Sequence, residues 1–267
     1  AYEILTCDWS SDVVLFRSER EKQADVLAKK GVEKHGVKLK GEEGQVGETE
    51  SRKRKVQDEL RRMNISIVPE WIPPFYADSG YINAVASASS GFLENFAPDH
   101  FLFSFHGVPE RHIKRVHPVC LTSAGCCDQI SAANFNCYRA QCFQTARSVA
   151  KALRIPDMQY SVAFQSRLGR TPWIRPYTDF VIAELPSKGV KTVAVFCLSF
   201  VADCLETLDE ITNRERERFL NSGGRELRLI PSLNDHPDWI RAASMIIRKR
   251  SEEHTSELQS HVRISYA

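Results

Sequence analysis

From Asn64 to Arg250 short apolar runs alternate with segments of helical period, and this alternation constrains the fold more than any other feature. Strands are expected at Ile65–Val68, His100–Phe105, Tyr160–Phe164, Thr192–Phe196 and Leu227–Ile230. Helices are expected at Tyr81–Phe96, Tyr138–Leu153, Tyr177–Leu185, Asp203–Leu220 and Pro237–Ile247, with Gly223-Gly224 ending the fourth. Strands that take turns with helices predict an α/β class: a Rossmann-like parallel sheet flanked by helices. No repeat of fixed period is visible.

The rest of the chain differs in character. Of the 44 residues from Glu19 to Arg62, 23 are Lys, Arg, Asp or Glu and none is aromatic. Such a stretch cannot bury enough apolar area to offset its ordering entropy, so residues 19–63 read as a charged helical or disordered segment. Only Lys55–Met63 has helical spacing, through Val56, Leu60 and Met63. The run Arg52-Lys53-Arg54-Lys55 suits nucleic acid or acidic lipid, but balancing acids favour a solvated face. Residues 1–18 and 251–267 have no period, resemble translated adapter DNA, and are expected to be non-native sequence. The 267 residues carry a net charge of +2, which argues against nucleic acid as a partner. No apolar stretch is long enough to span a membrane, and no secretory signal opens the chain.

In open parallel sheets ligands bind beyond the carboxyl ends of the strands. His106 follows the strand His100–Phe105 and precedes Gly107-Val108-Pro109-Glu110, so it sits at that edge as a candidate base. Its alternative is an ordinary turn histidine. Thr192–Phe196 leads into Asp203, Glu206 and Glu210, which one helix would align in an acidic stripe for protons or a divalent cation. Leu205 and Leu208 would then face the core. The competing reading is helix capping, because Asp-x-x-Glu is a capping pattern. After Tyr160–Phe164 come Gln165-Ser166-Arg167-Leu168-Gly169-Arg170-Thr171-Pro172-Trp173, where Trp173 suits the wall of a flat aromatic site or plain loop packing.

Five of the eight cysteines, Cys120, Cys126, Cys127, Cys137 and Cys142, fall within 23 residues. Disulfides are disfavoured in a cytosolic α/β enzyme, and zinc knuckles prefer tighter pairs. An iron–sulfur cluster tolerates this spacing, with Cys126 or Cys127 spare. Spare reduced thiols are the alternative.

Ser104-Phe105-His106-Gly107-Val108-Pro109-Glu110-Arg111, then Phe164–Trp173, then Phe200-Val201-Ala202-Asp203-Cys204-Leu205-Glu206-Thr207-Leu208-Asp209-Glu210 closely resemble ferrochelatase, in the family's order. Tyr76-Ala77-Asp78, followed by Gly80-Tyr81-Ile82, resembles the segment before the histidine strand. The resemblance covers about Val56–Arg250. It implies two Rossmann-like halves around a porphyrin cleft, with one full half and part of the other in this chain. The implied reaction inserts Fe2+ into protoporphyrin IX or coproporphyrin III, in haem biosynthesis, releasing two protons. It further implies His106 and Glu206 as catalytic, Asp203 and Glu210 on the metal or proton path, and Ser104, Phe105, Gln165, Ser166, Trp173 and Phe200 as porphyrin-binding. The internal cysteine segment, residues 116–142, resembles that of members with a 2Fe–2S cluster, implying Cys120, Cys127, Cys137 and Cys142 as ligands, Cys126 being the alternative. A cytoplasmic bacterial location, peripheral membrane contact and a homodimer are compatible with it. Nothing in Ala1–Arg54 resembles the family's N-terminal half, so the chain is expected to be an incomplete copy. The non-enzymatic alternative is an iron–sulfur or zinc-binding redox sensor.

Overall fold

The computed structural model describes residues 14–15, 45–66, 69–116 and 125–249. Cys120, the 251–267 tail, and most of 1–18 and 19–44 therefore lie outside the described residues, as do Ile67 and Val68 of the first expected strand. Two short strands, β1 (Val14–Leu15) and β2 (Glu70–Trp71), pair antiparallel. The main sheet comprises β3 (His100–His106), β4 (Tyr160–Gln165), β5 (Thr192–Cys197) and β6 (Glu226–Ile230). All its pairings are parallel, in the order β4-β3-β5-β6. The α/β fold is therefore as expected.

The helices are α1 (Gln45–Arg62), α2 (Ser79–Glu94), α3 (Glu110–Val116), α4 (Tyr138–Ala152), α5 (Thr178–Glu184), α6 (Leu205–Leu208), α7 (Arg216–Asn221) and α8 (237–249). Asp78 starts α2 two residues earlier than the apolar pattern suggests, because its carboxylate accepts the Tyr81 N–H (3.0 Å) as an N-cap.

Period-two projection gives the sheet two apolar faces. Phe101, Phe103 and Phe105 point to one face, where Val162, Phe164, Ala194 and Phe196 join them beneath α2, α4 and α8. Leu102, Ala163, Val193 and Val195 point to the other, against Ile182 of α5, Phe219 of α7 and Ile211 just before α7. Burying each of Phe103, Phe105, Phe164 and Phe196 contributes about 2 kcal/mol, and a sheet covered on both faces collects that on both.

The topology selects the functional edge. β3 and β5 are neighbours, yet the chain leaves β3 for α3 and α4 on the phenylalanine face and leaves β5 for α6 and α7 on the other. Where neighbouring strands send their chains to opposite faces, a crevice opens at the carboxyl edge.

The single long helix expected over Asp203–Leu220 is corrected. It is split into α6, a π-helical stretch over Glu210–Glu215, and α7. The Arg214 N–H reaches the Asp209 carbonyl five residues back (3.2 Å). This wider turn buries Thr207, Ile211, Glu215 and Phe219 at intervals of four, whereas a 3.6-residue period would drift off that line. The expected inward leucines consequently face out: Leu205 is 79% exposed and Leu208 52%.

His100 opens β3 buried, with Nε2 2.9 Å from the Ser161 hydroxyl. Burial first, and then the Lys188 charge, push its pKa below 6.5. Folding therefore favours neutral His100. Its contribution is intact above pH 6.5 and is lost as pH falls below that, where the unfolded chain takes up the proton and the folded chain does not. Urea midpoints measured from pH 7.5 downward should fall below pH 6.5 for the wild-type chain, and less steeply for His100→Asn. Parallel curves for the two proteins would rule this out.

Candidate active site

His106 is the last residue of β3 and is half-buried. The β3–β5 ladder stops at Ser104 paired with Cys197, two residues earlier. The N–H and C=O of His106 face the same side as those of Ser104, so no strand remains to bond them. Two hydroxyls take the place of a strand. The Ser199 Oγ accepts the His106 N–H (2.8 Å), and the Tyr138 hydroxyl donates to the His106 carbonyl (2.9 Å). The two hydroxyls are themselves 3.1 Å apart. Leaving either backbone group bare would cost about 1–3 kcal/mol.

The imidazole Nδ1 lies 2.6 Å from the Gly107 carbonyl oxygen. A carbonyl only accepts, so the neutral ring carries its proton on Nδ1 and keeps the Nε2 lone pair for another proton. Gly107 must be glycine: a Cβ there would stand 2.9 Å from the Gln165 carbonyl oxygen and 3.2 Å from the Trp173 ring. The loop carrying Trp173 is stitched to the strand's exit by Ile174 N–H to Val108 C=O (3.0 Å) and Glu110 N–H to Pro172 C=O (2.9 Å). Trp173 and Phe200 flank the imidazole, with ring centroids 6.4 and 6.1 Å away.

Of the expected ligand-lining residues, Ser166, Trp173 and Phe200 are partly exposed. Ser104, Phe105 and Gln165 are buried beneath the edge. Ser104 donates to Gln165 Oε1 (2.6 Å), and Gln165 Nε2 donates to the Glu206 carbonyl (2.7 Å), so the pair fixes the backbone under Glu206. The three expected acids have separate partners. Asp203 precedes α6 and accepts from Asn234 Nδ2 (2.9 Å) and the Ser232 N–H (3.2 Å). Glu210 takes the Ser166 N–H (2.8 Å) and hydroxyl (2.6 Å), with Ser166 in the left-handed region at φ 62°. Glu206 is the half-buried acid of the first turn of α6. Cys204, not Asp203, is the N-cap, in a reciprocal box with Thr207. Burial, and then a hydrogen bond to the Glu206 carboxylate, push the Cys204 thiol up, so it stays protonated near neutrality.

In the cysteine segment Cys127, Cys137 and Cys142 are buried and Cys126 is partly exposed. Asn134 organises it, accepting the Ser131 N–H (2.7 Å) and donating to the carbonyls of Cys126 (2.8 Å) and Gln129 (2.9 Å). Arg139 Nη1 donates to Cys127 Sγ (2.9 Å). Burial is the leading cause that pushes Cys127 up and Cys142 well up, which favours neutral thiols. Among the described residues no three His, Cys, Asp or Glu side chains are gathered to hold a metal ion, so the thiols as arranged do not form a cluster cage.

Neither Tyr138 nor Ser199 stands out in the sequence. Ser199 is a small residue just after a strand, and Tyr138 lies 32 residues from the histidine it holds.

Comparison with known proteins identifies the family. The family model for ferrochelatase matches residues 46–251. A ferrochelatase of Coxiella burnetii (strain Dugway 5J108-111) is 45% identical over 202 residues, covering 72% of this chain and 55% of that protein. One from Ectopseudomonas mendocina (strain ymp) is 44% identical over 193 residues, 71% of this chain and 56% of that protein. One from Pseudomonas putida (strain KT2440) is 47% identical over 183 residues, 67% and 54% respectively. The chain spans about half the length of the curated relatives it matches. With a family model matched over residues 46–251 and a half-buried histidine at the switch point of its parallel sheet, this chain belongs to the ferrochelatase family.

Proposed function

We propose that the protein to which this chain corresponds inserts Fe2+ into a porphyrin, protoporphyrin IX or coproporphyrin III, as a step of haem biosynthesis. The carrying observation is His106, held at the carboxyl edge of β3 with Nδ1 bonded to the Gly107 carbonyl and Nε2 left to accept a proton. A free-base porphyrin carries two N–H protons. When Fe2+ enters the ring both must leave, so the reaction yields the iron porphyrin and two protons. His106 Nε2 takes a proton from a pyrrole nitrogen, and the Glu206 carboxylate at the same edge is the second acceptor. Asp203 and Glu210 serve as further acids along the route of protons or iron. Trp173 and Phe200 offer faces against which a flat macrocycle packs. The exposed Leu168, Leu205 and Leu208 add apolar surface there. Fe2+ is substrate in this scheme. No helix among the described residues is long and apolar enough to cross a membrane, and the reading places the enzyme in the cytoplasm.

A second reading concerns the cysteine segment. The spacing of its cysteines suits a 2Fe–2S cluster, for which Cys120, Cys137 and Cys142 would be ligands with Cys127 or its neighbour Cys126, and the Arg139 guanidinium on Cys127 Sγ would favour that thiol's deprotonated form. Such a group would supply one-electron chemistry and takes no part in the insertion. The thiols would have to regroup around it.

Two measurements test these readings. In a chelatase assay on the longer protein, His106→Ala and Glu206→Gln should each lower kcat by roughly a hundredfold or more; full activity in His106→Ala would remove the histidine from the reaction. Protein purified without oxygen should show visible sulfur-to-iron absorption that Cys137→Ala abolishes. A colourless protein with stoichiometric zinc would overturn the cluster.

A further inference from the structure

The clamp on His106 has a second end in the cysteine segment. Tyr138, which bonds the His106 carbonyl, is the first residue of α4, and Cys137 is the N-cap of that helix, with extended backbone at φ −81° and ψ 113°. The Cys137 N–H is held by the Asn134 carbonyl (2.8 Å). Gln141, one turn into α4, reaches back from Nε2 to the Phe135 carbonyl (2.8 Å). The knot around Asn134 thus sets where α4 begins, and α4 sets where the Tyr138 hydroxyl lies. That hydroxyl and Ser199 Oγ are the groups bonded to the backbone of His106 on the side where β5 has ended.

We propose that Tyr138 and Ser199 are positioning residues for His106, and that through Tyr138 the packing of the cysteine segment governs which imidazole nitrogen is free to take a proton. The physical chain is short. The 106–107 peptide is held by Tyr138 on its carbonyl and by the Gln165 carbonyl on its N–H (2.8 Å), and while the hydroxyls hold the His106 backbone the Gly107 carbonyl, one peptide further on, stays against Nδ1 and the ring keeps the Nδ1–H form with Nε2 open. Without the clamp that linkage shifts, the Nδ1–H bond lengthens, and the Nε2–H tautomer becomes populated. The proposal rests on the reading of His106 as the base for its meaning, but its test does not require activity.

The experiment is 15N NMR of the imidazole nitrogens of His106 in the full chain, together with hydrogen exchange of the His106 amide. The wild-type chain should show predominantly the Nδ1–H tautomer. Ser199→Ala should speed exchange of the His106 amide by roughly five- to tenfold, the equivalent of one lost hydrogen bond. Tyr138→Phe, which removes only the hydroxyl, should raise the Nε2–H fraction severalfold, and Asn134→Ala should move it in the same direction. A merely structural role would lower the melting temperature of these variants and leave the tautomer ratio alone. An unchanged ratio in Tyr138→Phe and unchanged exchange in Ser199→Ala would overturn the clamp. A shift in Tyr138→Phe without one in Asn134→Ala would overturn the link to the cysteine segment. If Tyr138→Phe does not fold, exchange in Ser199→Ala decides the clamp. In the longer protein Tyr138→Phe should lower kcat while KM for the porphyrin holds. A longer wild-type protein with no chelatase activity, alongside the NMR changes, would refute the proposed function and leave the clamp standing.

Discussion

β3 and β5 run side by side over five paired positions, and the candidate site depends on where that pairing stops. Up to Ser104 each backbone group of β3 on that side has a partner in β5. Beyond it β3 continues to His106 while β5 has turned away toward Ser199. A strand end with bare N–H and C=O is costly in a half-buried place, so side-chain hydroxyls must satisfy it. The satisfied end is then rigid, and a rigid strand end is a place from which an imidazole can be aimed. The chains leaving β3 and β5 for opposite faces open the space in front of it.

The polar groups beneath that edge serve the same purpose for the other side of the site. Ser104 and Gln165 are buried and mutually bonded, and the free donor of Gln165 anchors the carbonyl of Glu206. Glu210 is held by Ser166, whose left-handed backbone turns its N–H and hydroxyl toward the same carboxylate. A π-helical turn accommodates this arrangement by bringing Glu210 to Ser166 while keeping Ile211 and Phe219 in the core. The cost is a widened turn, tolerated because its inner side is covered by the apolar face of the sheet.

Much of this fold could be read in the chain. Phe101, Phe103 and Phe105 against Leu102 announce a two-faced strand, and Ala146, Val149 and Ala150 announce a helix that lies on it. His106 and the three acids were visible as polar residues just past apolar runs. The burial of Ser104, Phe105 and Gln165 is less visible. They adjoin exposed site residues in sequence, and alternation along a strand buries neighbours that the linear pattern cannot separate. The helix after β5 departs from its sequence pattern for a related reason: a 3.6-residue period assumes α geometry, and nothing in Glu210–Glu215 signals a π turn.

What the sequence determined by itself is the class of fold, the four strands of the main sheet and most helices. Those follow from local periodicity, which is written along the chain. The tertiary structure alone decided the order β4-β3-β5-β6, the end of the β3–β5 ladder, and the pairing of His106 with Tyr138 and Ser199, residues 32 and 93 positions away. These depend on which distant segments come to share an unsatisfied hydrogen bond, and no local period encodes that.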